Sequence, residues 1–136
     1  MERAETAAVL LPERRHAANP EDVVERRGLV RALREARRFE EGDRAAAVFA
    51  ATPEAMRAID EDGGWLVDDH ARLLYRAGRK DEADRRYAAM RVIDIEEKPW
   101  LINMVINRVE LLVKDRQYAQ AEPLLTEAAT LAETHG

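Results

Sequence analysis

Apolar side chains recur at i, i+3, i+4 and i+7 along most of this chain, a spacing that lays a continuous stripe along an α-helix. Val24, Leu29, Leu33, Ala36 and Phe39 predict a first long helix, opened by Pro20 and turned at Gly42-Asp43. The helix after it meets Thr52-Pro53, which either kinks it or caps and restarts it. Leu66, Leu73, Leu74 and Ala77 predict a helix from Trp65 to Ala77 that ends at Gly78. Asp81 is then expected to cap a successor with Ala83, Tyr87, Met90 and Ile93 on one face. Pro99 suits the first turn of a helix running to about Lys114. The last helix starts near Tyr118 and carries Ala121, Leu124, Leu125, Ala128 and Leu131 in register. Small side chains at Ala47, Ala71, Ala83 and Ala121 let neighbouring helices approach closely.

The pattern also repeats. Ala55-Met56-Arg57-Ala58-Ile59-Asp60 returns as Ala89-Met90-Arg91-Val92-Ile93-Asp94, an offset of 34 residues, and Trp65-Leu66 returns as Trp100-Leu101 at 35. Gly78-Arg79-Lys80-Asp81-Glu82-Ala83 is echoed by Arg116-Gln117-Tyr118-Ala119-Gln120-Ala121 and foreshadowed by Gly42-Asp43-Arg44-Ala45-Ala46-Ala47. Periods in the mid-thirties indicate stacked units, each too small to bury its own apolar face. Three helix pairs are therefore expected, at about 20–62, 63–97 and 98–134, together making a domain over 20–136. Residues 1–19 precede them as a mobile arm or a capping helix. The alternative is a plain helical bundle without repeats.

Composition narrows the class. The 136 residues include 24 alanines against 6 glycines and 5 prolines, and aromatics are only 5%, which favours helices over a sandwich or barrel. Cysteine is absent, removing disulfides, thiolate zinc sites and a cysteine nucleophile; serine is absent too, removing a serine nucleophile. The formal charge of −5, from 22 basic and 27 acidic side chains, argues against nucleic acid as a partner. No stretch approaches the roughly 20 apolar residues of a membrane span. The apolar run Thr6–Leu11 is too short for a signal-peptide core, so a cytoplasmic location is expected.

The stretch Leu74-Tyr75-Arg76-Ala77-Gly78-Arg79-Lys80-Asp81-Glu82-Ala83-Asp84-Arg85-Arg86-Tyr87 joins a large aromatic, a glycine-centred turn and an Ala-x-x-x-Tyr signature. It resembles the tetratricopeptide repeat (TPR) family. The run Gln117-Tyr118-Ala119-Gln120-Ala121-Glu122-Pro123-Leu124-Leu125 is similar to the family's second helix, particularly in kinesin-light-chain-like members. The resemblance covers roughly 21–134, and the third unit carries Arg116 where glycine is usual. It implies an all-α, right-handed α-solenoid of three helix-turn-helix repeats. It also implies a protein or peptide ligand in a concave groove lined by the first helix of each unit, and no enzymatic activity.

On that reading Trp65, Asp68, Arg72, Tyr75 and Arg76 line the groove from the second unit, and Trp100, Asn103 and Asn107 from the third. Asn103 and Asn107 sit four apart in an otherwise apolar run. They either offer a donor and an acceptor to a peptide backbone or bond to a neighbouring helix. Trp65 and Trp100 are ligand anchors or packing residues between units. Arg72 and Arg76 are spaced to take a ligand carboxylate, while Asp68 can pair with Arg72 in its absence. The family's dicarboxylate clamp, with lysines and asparagines across three units, is not matched.

Other chemistry finds little support. His16, His70 and His135 lack zinc spacing, and neighbours in Asp68-Asp69-His70 point about 100° apart on a helix. No metal, cofactor or catalytic residue is expected. Arg27, Arg31, Arg34 and Arg38 form a basic stripe, read either as a strip for an acidic partner or phosphate or as a solvated face with local Glu35 pairs. The second functional reading is self-assembly: Leu124, Leu125, Ala128 and Leu131 close the chain without a polar capping helix, which invites a homodimer through the last helix.

Overall fold

A computed structural model describes residues 2–49, 52–91 and 97–135. Among the described residues there are eight helices and no strand: α1 (Glu2–Ala18), α2 (Val23–Glu35), α3 (Phe39–Ala46), α4 (Pro53–Ala58), α5 (Glu61–Arg76), α6 (Lys80–Met90), α7 (Leu101–Lys114) and α8 (Tyr118–His135). No described helix is long and apolar enough to cross a membrane.

Short polar side chains start several of these helices by accepting from backbone N–H groups that have no partner within the first turn. The Asp22 carboxylate accepts from Val24 N at 2.8 Å and Glu25 N at 3.2 Å, so α2 begins at Val23 rather than at the expected opening, Pro20. Thr52 caps α4 through Ala55 N with Pro53 in the first turn, so Thr52-Pro53 restarts a helix rather than kinking one. Asp60 does the same for α5 through Gly63 N. At α6 the cap position is Arg79, with no side-chain cap; Asp81 lies inside the first turn instead of capping it.

Three turns join α2 to α3, α5 to α6 and α7 to α8, and they share one geometry. Arg38 N donates to Leu33 O while Arg37 N donates to Arg34 O; Arg79 and Gly78 repeat this on Leu74 and Tyr75, and Gln117 and Arg116 on Leu112 and Val113. This paired bonding is the Schellman closure, which needs a left-handed residue just past the helix. Gly78 supplies it at φ 85°, but Arg37 and Arg116 supply it at φ 60° against the preference of a side-chain-bearing residue. The first turn is therefore Ala36-Arg37-Arg38, not the expected Gly42-Asp43. Gly42 lies within α3, where a Cβ would collide with Leu73.

The core is organised around α5, which packs on α2, α3, α6 and α7. Its Leu66 and Leu73 are wholly buried with Val30 and Ala46, while Ala71 and Leu74 join Ala83 and Tyr87. A further cluster gathers Met56, Ile59, Val67, Met90, Leu101 and Met104. On the other flank α1 covers α2 by burying Val9 with Leu29, Leu33 and Ala36. Leu112 and Ala121 hold α7 on α8.

Candidate functional site

Three consecutive buried polar residues on α5 fix the layout of its neighbours. A helix turns about 100° per residue, so Asp68, Asp69 and His70 face three directions. Asp69 takes Arg27 Nε at 3.0 Å and Arg31 Nε at 3.4 Å, both from α2. His70 Nε2 meets Asp43 Oδ1 of α3 at 2.6 Å. Asp68 accepts from Tyr87 Oη of α6 at 2.8 Å, from Arg72 Nε at 3.1 Å and from Asn107 Nδ2 of α7 at 3.1 Å. The triplet converges on no common point, and no group of three His, Cys, Asp or Glu among the described residues is placed to hold a metal ion.

These environments shift the titrations. Burial pushes the Asp68 carboxyl above the usual carboxylate range, against the opposing pull of Arg72 and the Tyr87 hydroxyl. Burial and the Asp68 charge raise the Tyr87 hydroxyl well above a free phenol. His70 is held below a free imidazole by burial, which outweighs its bond to Asp43. Burial works against ionised Asp43, but the His70 and Arg79 hydrogen bonds prevail and keep its carboxyl low. These groups form two hydrogen-bonded sets, Tyr87 with Asp68 and His70 with Asp43, as in structural networks.

Above this floor a cleft of about 380 Å³ opens between α2, α5 and α7. Arg27, Arg31 and Arg34 line it from α2, Trp65 and Arg72 from α5, and Asn107 from α7, with Asp68 and Asp69 beneath. Arg34 and Arg72 also border a second cleft of about 490 Å³, which continues along Tyr75, Arg76, Lys80 and Lys114. There Tyr75 Oη donates to Asp115 Oδ2 at 2.7 Å, Lys80 Nζ reaches the same oxygen at 2.6 Å, and Arg76 pairs with Glu35 at 3.0 Å. Burial first, then Asp115, raises the Tyr75 hydroxyl, while Lys80 and Tyr75 lower the Asp115 carboxyl.

The expected groove residues are thus distributed unevenly. Trp65, Asp68, Arg72 and Asn107 meet in the first cleft, and Arg72, Tyr75 and Arg76 in the second. Asp68 is 4% exposed and fully engaged, so it holds other side chains rather than facing outward. Asn107 spends its amide N–H on Asp68, leaving its carbonyl oxygen as an acceptor. Asn103 is exposed on α7 and borders neither cleft. The tryptophans do not occupy matching places. Trp65 lies within α5, its ring 6.0 Å from the Arg27 guanidinium. Trp100 sits at the start of α7 with its ring over Gly64, and both tryptophans pack on the Met56–Val67–Met104 cluster.

The α2 arginines, expected to stand apart from the groove, partly line it. Their stripe splits: Arg27, Arg31 and Arg34 enter the first cleft, while Arg38 turns away to Glu41 and Glu13. The stripe was visible; the carboxylate that draws it in, Asp69, is 42 residues from Arg27. Neither a family model, nor a curated protein, nor a solved structure matches this chain.

Proposed function

We propose that this chain is a non-enzymatic binding module that holds an extended peptide or partner helix in the hollow bordered by α2, α5 and α7. The hairpins α2–α3, α5–α6 and α7–α8 are read as three TPR-like repeats of a right-handed α-solenoid, acting in the cytoplasm. One observation carries the reading: the leading helix of each hairpin contributes side chains to the same cleft, Arg31 from the first, Trp65 and Arg72 from the second, Asn107 from the third. A ligand lying there meets all three units at once. The shared closures at Arg37, Gly78 and Arg116 support equivalence of the units.

A displayed random-peptide library tests it. Peptides selected on the protein should perturb the amide resonances of Arg31, Trp65 and Asn107 and leave those of α1 unchanged. Selected peptides that perturb only α1 or α8 would end the reading. A second reading, self-association through α8, is favoured by Tyr118 and Leu125, which are 60% and 59% exposed on that helix. Light scattering across concentration separates it, with Leu125→Glu expected to abolish any dimer.

A further inference from the structure

The side chains bordering the two clefts count seven cations against four carboxylates, in a chain whose formal charge is −5. Pairing makes the imbalance sharper. Asp69 is committed to Arg27, Asp68 to Arg72, Glu35 to Arg76 and Asp115 to Lys80. What is left over is positive. Arg31 has only a second, longer contact to Asp69 and leaves half its side chain exposed. Arg34 Nε is buried with no hydrogen bond, and its ion-pair partner Glu35 Oε1, 3.4 Å away, is shared with the closer Arg76. Lys114 is exposed and makes no ion pair among the described residues. Arg31 and Arg34 stand on α2 and Lys114 on α7, so the spare charge flanks α5 from both sides.

We propose that the ligand of these clefts is an acidic, extended peptide segment whose carboxylates are taken by Arg31, Arg34 and Lys114; this rests on the reading that the hollow holds a peptide. Guanidinium forks bind carboxylates through two parallel hydrogen bonds, and Arg34 borders both clefts. The Asn107 carbonyl is free to accept a backbone N–H, and the Trp65 ring gives an apolar side chain a surface to rest on. Long polyanions are disfavoured. The side chains outside the clefts carry more carboxylates than cations, which works against a charged backbone that runs past them.

The probes are a fluorescein-labelled oligoglutamate peptide, an oligoglutamine peptide of equal length and a single-stranded oligothymidylate, followed by anisotropy. Oligoglutamate is expected to bind at least tenfold tighter than oligoglutamine, with affinity falling as salt rises. Arg31→Gln with Arg34→Gln should weaken it by about 10- to 100-fold, and exposed Arg44→Gln on α3 should leave it unchanged. Should the double variant fold poorly, Lys114→Glu carries the same expectation without touching a paired residue. Equal binding of oligoglutamine overturns the acidic assignment and leaves the peptide hollow standing. Equal losses in Arg44→Gln show diffuse attraction, and tighter oligothymidylate binding assigns the cations to nucleic acid; either overturns the proposal. No binding of any peptide removes it together with the reading beneath it.

Discussion

Tyr87 donates its hydroxyl hydrogen bond to the buried carboxylate of Asp68 at 2.8 Å and so ties α6 to α5 inside the protein. The same carboxylate holds Arg72 and Asn107, so one acidic side chain joins three helices. Removing a donor leaves a buried charge with fewer bonds, which costs the desolvation of the abandoned group. Tyr87→Phe should therefore lower unfolding stability by about 1–3 kcal/mol in urea titrations. A loss under about 0.5 kcal/mol would show that water replaces the hydroxyl without penalty.

The three helix closures make a second prediction. Arg37 and Arg116 hold φ 60°, where glycine is favoured. Arg37→Gly and Arg116→Gly should each stabilise the protein by about 0.5–1 kcal/mol, raising the melting temperature by a few degrees. Gly78→Ala, at φ 85°, should destabilise by about 1 kcal/mol although nothing crowds the site.

Two other glycines separate crowding from flexibility. A Cβ at Gly64 would enter the Trp100 ring, whereas at Gly28, inside α2, it would meet open space. Gly64→Ala is expected to cost about 1–3 kcal/mol by overpacking, and Gly28→Ala to gain about 0.5–1 kcal/mol from helix propensity. Thermal melts of the pair check both signs.

Stability should also decline in mild acid. His70 sits below the ordinary imidazole value of 6.5 because burial opposes its charge, with Arg86 and Arg79 adding to the effect and Asp43 opposing it. As pH drops below about 6.5 the unfolded chain binds a proton that folded His70 refuses, so stability is complete above this range and falls through it. His16 of α1, lowered by burial and by Arg26, acts in the same direction. His70→Gln, able to keep a donor toward Asp43, should flatten much of the slope between about pH 7 and about pH 5 in denaturant titrations. An unaltered slope would assign the effect to His16.

The sequence was most legible where local chemistry decides the backbone. Gly78 marked the α5–α6 turn, and Ala121, Leu124 and Ala128 lie on the packed side of α8, whereas Leu125 of the same expected stripe is exposed. The first hairpin was misread because its left-handed residue is Arg37, while the nearby glycine, Gly42, serves close packing under Leu73. The tryptophan pair misled for a similar reason: like residues at a regular offset, one in the body of α5 and the other preceding α7. The groove was half legible. Helical spacing brought Trp65 and Arg72 together, but it carried no information about Asp69 drawing Arg27 and Arg31 across from another hairpin.

Because Asp68, Asp69 and His70 reach outward in three directions, α5 is a keystone rather than one interchangeable slat. Ordinary modular arrays tolerate trimming at their ends, each segment leaning only on the next. Here, cutting away the leading hairpin strands Asp69 and His70, and cutting away the trailing one deprives Asp68 of Asn107. Removal of either outer hairpin is therefore expected to destabilise what remains, rather than leave a shorter intact array.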